Sequence, residues 1–77
     1  MDIIKTEVAI RSRVLLITDI LPEIEFQENC KNIIVSFRGN IPDEETTVEL
    51  ENVLKVFGTP IPNHCREKLV VSFTISR

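Results

Sequence analysis

The sequence contains no tryptophan and no tyrosine, only two glycines, two cysteines and one histidine. Without Trp or Tyr, the chain lacks side chains that commonly stack on unpaired bases. Nine basic against twelve acidic residues give a net charge of −3, whereas nucleic-acid binders rely on Lys and Arg at phosphates. Two glycines also leave no Gly-rich phosphate loop. These absences argue against RNA or DNA as a partner, and no site for a small-molecule ligand or cofactor is evident.

The chain also lacks long hydrophobic runs. No apolar stretch approaches the ~20 residues that a membrane-spanning helix needs, so we expect no membrane contact. The segment MDIIKTEVAI has an acid at position 2 and no apolar block before a small-residue cleavage site, and therefore does not resemble a secretion signal. Two cysteines are few for a small secreted domain, which usually carries about two to four disulfides. We therefore expect a cytoplasmic protein with reduced thiols.

A length of 77 residues, of which 43% are hydrophobic, predicts one small globular domain over residues 1–77. Domains of this size bury only roughly 60% of the surface that their unfolded chains expose. Self-association is a common supplement to so small a core. We see no internal repeat or linker in the sequence.

Alternation of apolar and polar side chains predicts strands at 33–38 and 69–75. β-Branched residues, which are enriched in strands, are frequent in both segments. EIEFQ, residues 23–27, predicts a short strand, and the polar ENCKN that follows predicts a hairpin loop. The inward-facing side chains of the two longer strands are Ile33, Val35, Phe37, Leu69, Val71, Phe73 and Ile75.

The segment EVAIRSRVLLIT, residues 7–18, is compatible with two periods. A helix would collect Ile4, Val8, Arg11 and Leu15 into one stripe, and a buried arginine disfavours that arrangement. We therefore predict a long strand here, bent near Ser12, although a helix within residues 5–18 stays open.

Residues between Asn40 and Gly58 have the helical period. The start is indicated by Asn40 as a possible N-cap, Pro42 in the first turn and acidic residues after it. Gly58 is a plausible left-handed stop, with Pro60 beyond it. The apolar stripe consists of Leu50, Val53, Leu54 and Phe57.

Together these elements predict an α+β fold in the order β-β-β-α-β. One helix would lie on one face of a four-stranded, mostly antiparallel sheet. A right-handed crossover through the helix would make strands 33–38 and 69–75 parallel.

Three residues could carry chemistry, namely Cys30, His64 and Cys65. A nucleophile needs its base within hydrogen-bond reach, but adjacent side chains usually point apart, so Cys30 with His64 is the freer pair. Structural zinc favours four ligands in close pairs, and only three soft ligands are present here. We therefore expect PNHCREK, residues 62–68, to form an exposed loop, with no catalytic residue and no metal. Whether the three residues meet in space cannot be read from the sequence.

The feature that points to function is the second sheet face, which one helix would leave uncovered. Monomers rarely expose a large apolar patch, so we predict a contact with another copy or another protein there, through Leu15, Ile17, Ile34 and Val70. The sequence thus indicates a small non-enzymatic protein-binding module, acting as a homodimer or as a subunit or regulator of a larger assembly. The alternative is an acidic, antitoxin-like inhibitor that blocks a basic, nucleic-acid-handling site on a partner protein, using Glu44, Glu45 and Glu51. A small enzyme that uses Cys30 or Cys65 with His64 is the third hypothesis.

Overall fold

Two α-helices pack on one face of a four-stranded antiparallel sheet in the computed structural model, which describes residues 2–29 and 31–77. Cys30 lies outside the described residues. The α+β class and the four-stranded sheet were predicted correctly, while the number of helices and the element order were not. The elements are α1 Ile3–Leu15, β1 Glu23–Gln27, β2 Asn32–Arg38, α2 Glu44–Leu54, β3 Thr59–Cys65 and β4 Val70–Ser76, with 3₁₀ turns at Lys55–Phe57 and Arg66–Lys68.

The segment predicted as a bent first strand is instead helix α1. Asp2 caps its start, since the carboxylate accepts a hydrogen bond from the Lys5 N–H at 3.1 Å. The buried stripe contains Ile10 and Val14, one turn apart, rather than the stripe that includes Arg11. Arg11 stays near the surface and pairs with Glu7 at 2.8 Å, so the objection to a helix does not arise.

The segment predicted as an exposed loop before the last strand is instead mostly the edge strand β3. It pairs antiparallel with β4 from Thr59↔Ser76 to Cys65↔Val70. Pro60 and Pro62 are tolerated because an edge strand needs donors on only one side. The structure therefore has a fourth strand where the prediction had a loop, and a helix where the prediction had a strand.

The two central strands, β2 and β4, are neighbours as the crossover required, but they run antiparallel. The chain leaves α2 into β3 and returns through a hairpin, which reverses the direction of β4. All three strand pairings are antiparallel, so the predicted parallel pair is wrong.

Helix α2 confirms the amphipathic stripe around Leu50 and Leu54, both fully buried. Its N-cap is Asp43, whose carboxylate accepts from the Thr46 N–H at 2.8 Å, rather than the predicted Asn40. The helix and its 3₁₀ extension end at Gly58, where φ is 152°. The stop was thus placed correctly, although its backbone is extended and not left-handed helical.

The core lies between the helix layer and the inner sheet face. It comprises Ile10, Val14, Ile33, Val35, Phe37, Leu50, Leu54, Val71, Phe73 and Ile75. The Arg13 guanidinium lies over the Phe57 ring, 5.7 Å from its centroid, and this joins α1 to the end of the α2 segment.

The element order is two consecutive α-β-β units whose inner strands pair at the centre of the sheet. The inward residues of β2 recur 38 positions later in β4: Ile33 with Val71, Val35 with Phe73 and Phe37 with Ile75. Because the two residues of each pair share only their apolar character, the repeat is visible in the structure and not in the sequence.

Candidate protein-contact surfaces

The outer face of the sheet, predicted as the contact surface, is largely polar. Ile34 and Val70 lie on it, as expected, and both are half-buried. Ile61 on β3 is 53% exposed and completes a row across the sheet with Thr74 and Ile34. The other outward positions are Glu23, Glu25, Gln27, Asn32, Ser36, Arg38, Thr59, Asn63, Cys65, Ser72 and Ser76.

Leu15 and Ile17 were predicted on this same face, and that placement is wrong. Leu15 is the last residue of α1 and is 46% exposed in the helix layer. Ile17 lies just beyond the helix and packs against the core. Both residues were misplaced because the segment is a helix and not a strand. Its side chains repeat direction every 3.6 residues instead of every 2.

Exposed aliphatic side chains are concentrated on α1 instead. Ile4 is 73% exposed and Val8 57%, and with Arg11 and Leu15 they form a stripe that we call the α1 stripe. Their spacing of 4, 3 and 4 residues is that of a seam through which two helices pack. Because Glu7 holds the Arg11 guanidinium to one side, the Arg11 stem can extend the apolar surface.

A second surface feature is an open groove of about 400 Å³ between α2 and the edge strand β3, which we call the α2–β3 groove. One wall is formed by α2 and the other by β3 and the turn after it. Its lining residues are Glu44, Thr47, Val48, Glu51, Pro62, His64, Arg66 and Phe73.

His64 stands in this groove because β3 places it on the inner side of the sheet, opposite Val71. Its ring meets Phe73 edge to face, with the centroids 5.1 Å apart. Nδ1 accepts from the Ser72 N–H at 3.3 Å, so Nε2 carries the ring proton. Burial, followed by the charge of Arg66, lowers the pKa of His64, and Glu51 acts in the opposite direction. The imidazole is therefore neutral near pH 7.

Arg66 closes one end of the groove and joins the β3–β4 turn to the start of α2. Its guanidinium donates to the Pro42 carbonyl at 3.0 Å and to the Thr47 hydroxyl at 3.2 Å. Thr47 in turn donates to the Asp43 carbonyl at 2.7 Å. These contacts hold α2 against the edge strand.

Two of the three predicted acidic contact residues belong to the groove. Glu44 and Glu51 both line it, whereas Glu45 is exposed in the first turn of α2 outside it. The sequence indicated the acids but not the groove, since the wall that faces them is β3, which was predicted as a loop. Pro60 and Pro62, read as edge-strand residues, are the signal that could have revealed it.

Cys65 and His64 do not form a reactive pair. They are adjacent on β3 and project to opposite faces of the sheet, with the thiol exposed on the outer side. In residues 2–29 and 31–77, no group of three His, Cys, Asp or Glu side chains is arranged to hold a metal ion. Whether Cys30 approaches His64 lies outside the described residues.

No protein-family model, no curated protein and no solved structure matches this chain. Within the described part of the chain, neither helix has the length and apolarity that crossing a bilayer requires.

Proposed function

We propose that this protein is a non-enzymatic protein-binding module that associates through the α1 stripe, either with a second copy of itself or as a subunit of a larger assembly. The observation that carries the proposal is the alignment of exposed Ile4, Val8 and Leu15 on one helix face. The outer sheet face exposes less apolar surface than the α1 stripe does. We therefore propose the α1 stripe, and not the sheet face, as the contact surface. Pro60 and Pro62 also remove backbone donors from the β3 edge, which disfavours pairing of strands between molecules.

The strength of this association can be bounded. Burying a fully exposed Val, Leu or Ile side chain contributes roughly 1.5–3 kcal/mol, so the exposed fractions of Ile4, Val8 and Leu15 offer roughly 3–5 kcal/mol per copy. A symmetric dimer would gain about twice that, against an association cost of roughly 4–15 kcal/mol. We therefore expect weak, concentration-dependent self-association and tighter binding to a partner that supplies anchors of its own.

The test is Val8→Lys, measured by sizing-column light scattering over a range of protein concentrations. The variant should remain monomeric where the parent protein associates, with an unchanged circular dichroism spectrum. Ile61→Lys is the matched control, because Ile61 is exposed to nearly the same fraction on the outer sheet face. If Ile61→Lys loses association and Val8→Lys retains it, the contact surface is the outer sheet face, and the role of α1 is refuted.

A second candidate function is favoured by the acids of α2. Residues 43–51 include Asp43, Glu44, Glu45, Glu49 and Glu51 and no base. Such a surface suits an inhibitor that covers a basic, nucleic-acid-handling site on a partner protein. Binding by this route should weaken steeply with salt, because exposed charges are screened within about 10 Å at 0.1 M. Binding through the α1 stripe should not.

A further inference from the structure

We propose that the α2–β3 groove is a binding site for an arginine side chain presented by a protein partner. The site is separate from the α1 stripe, and the inference gives the second candidate function a specific contact point. It rests on three properties of the groove: carboxylates without a cation, an exposed apolar wall, and an imidazole ring held in place by the buried Phe73.

The carboxylates of Glu44 and Glu51 favour a positively charged ligand. Ion pairs in the described residues join Glu7 to Arg11 and Glu23 to Arg38, so Glu44 and Glu51 have no cationic partner within 4.0 Å. They lie seven residues apart on α2, about two helical turns, and both line the groove. A guanidinium between them would find charge-assisted hydrogen-bond acceptors.

The walls suit the stem and the plane of arginine. Val48 lies between the two acids in the sequence, and its side chain is 58% exposed. Pro62 faces it from β3. Methylene groups of a ligand can pack on these two side chains while the charged end reaches a carboxylate. The His64 ring, held edge to face against the buried Phe73 ring, adds an aromatic surface on which a planar guanidinium packs better than a compact ammonium.

Among the described residues that line the groove, Arg66 carries the only positive charge, and it does not occupy the place of the ligand. Its guanidinium is bound to the Pro42 carbonyl and the Thr47 hydroxyl at the end of the groove. With His64 neutral, two negative charges face one positive charge, and the lining keeps a net negative charge. Charge complementarity therefore selects a cation rather than an anion.

The experiment is an NMR titration of the isotopically labelled full chain with the blocked tripeptide acetyl-Gly-Arg-Gly-amide. We expect saturable shifts at the His64 ring and at the amides of Val48 and Glu51. The citrulline analogue, which has the same shape without the charge, should bind at least about tenfold more weakly. Equal binding of the two peptides, or shifts that never saturate, would overturn the proposal.

Matched variants separate the groove from general acidity. The double variant Glu44→Gln/Glu51→Gln should lose binding by about tenfold or more, whereas Glu45→Gln/Glu49→Gln, with the same change in net charge on α2, should retain it. Equal losses in both would show attraction to the acidic surface as a whole and refute the site. Val8→Lys should leave peptide binding intact, so failure of the groove and failure of the α1 stripe can be told apart.

Discussion

Gly58 is the residue at which the chain turns from the α2 segment into β3, the outer wall of the groove. Its φ of 152° and ψ of −163° lie in a region that essentially only glycine adopts. A Cβ at this position would lie 2.5 Å from the Ser76 carbonyl oxygen and 2.9 Å from Ile75 Cγ2. We therefore predict that Gly58→Ala is one of the most destabilising single-methyl changes in this protein.

The size of the effect follows from two contributions. The backbone conformation costs roughly 1–3 kcal/mol for a non-glycine residue. Overpacking against β4, whose backbone cannot yield as a flexible side chain would, adds roughly 1–3 kcal/mol. The total, roughly 2–6 kcal/mol, compares with a stability of roughly 4–12 kcal/mol for 77 residues at the usual value per residue. Gly58→Ala should therefore remove a large part of the free energy of unfolding.

Gly39 supplies the matched control, because its φ is 81° but no atom of the described residues lies within 4 Å of the position a Cβ would take. Gly39→Ala should cost only the backbone contribution, roughly 1–2 kcal/mol. Urea unfolding followed by far-UV circular dichroism gives both values, with similar m-values expected for both variants. If the two variants lose equal free energy, the contact with β4 is not the cause and the reasoning fails.

Other predictions concern ionisable groups. Glu51→Gln should lower the pKa of His64 further and Arg66→Met should raise it, because one charge favours the imidazolium and the other opposes it; an NMR titration of the ring checks both signs. Burial, followed by the charge of Arg66, holds the pKa of His64 below its ordinary value. As the pH falls through that ordinary value, the unfolded chain therefore binds more protons than the folded chain. The free energy of unfolding should fall there with decreasing pH, and less so in His64→Ala. Asp43→Ala should lower the Tm by removing the α2 cap, and Asp43→Asn should recover most of the loss. Alkylation of Cys65, followed by mass spectrometry, should proceed at the same rate in His64→Ala; a clear slowing would revive a thiol-based activity.

Where the sequence has one strong period, the structure follows it. The alternation around Val35 and Phe73 predicted β2 and β4, and the spacing of Leu50 and Leu54 predicted α2. Most of the intervening positions in these segments are polar, so only one secondary structure buries the apolar set. The positions of the residues predicted to form a contact surface were predicted less well, since Ile34 and Val70 lie on the expected sheet face and Leu15 and Ile17 do not.

The first segment shows why the rest could not be predicted. Residues 7–18 are rich in aliphatic side chains on every side, so a strand and a helix both find an apolar face. The choice depends on what the face packs against, and the sheet offers a place for Ile10 and Val14 beside α2. Similarly, Pro60 and Pro62 exclude a central strand but permit an edge strand, and only the position of β4 distinguishes an edge strand from a loop.

The sequence by itself therefore determined the class of the protein: a small acidic α+β domain with an aliphatic core, without a Gly-rich loop or a recognisable catalytic motif. The tertiary structure alone decided which surfaces are available. It turned the apolar residues of segment 7–18 into a helix with an exposed stripe, and it brought β3 beside α2 so that His64 and Pro62 face Glu44 and Glu51 across one groove. Local periodicity specifies which side chains need burial. Long-range packing decides which element of the fold covers them and which surfaces stay exposed to water.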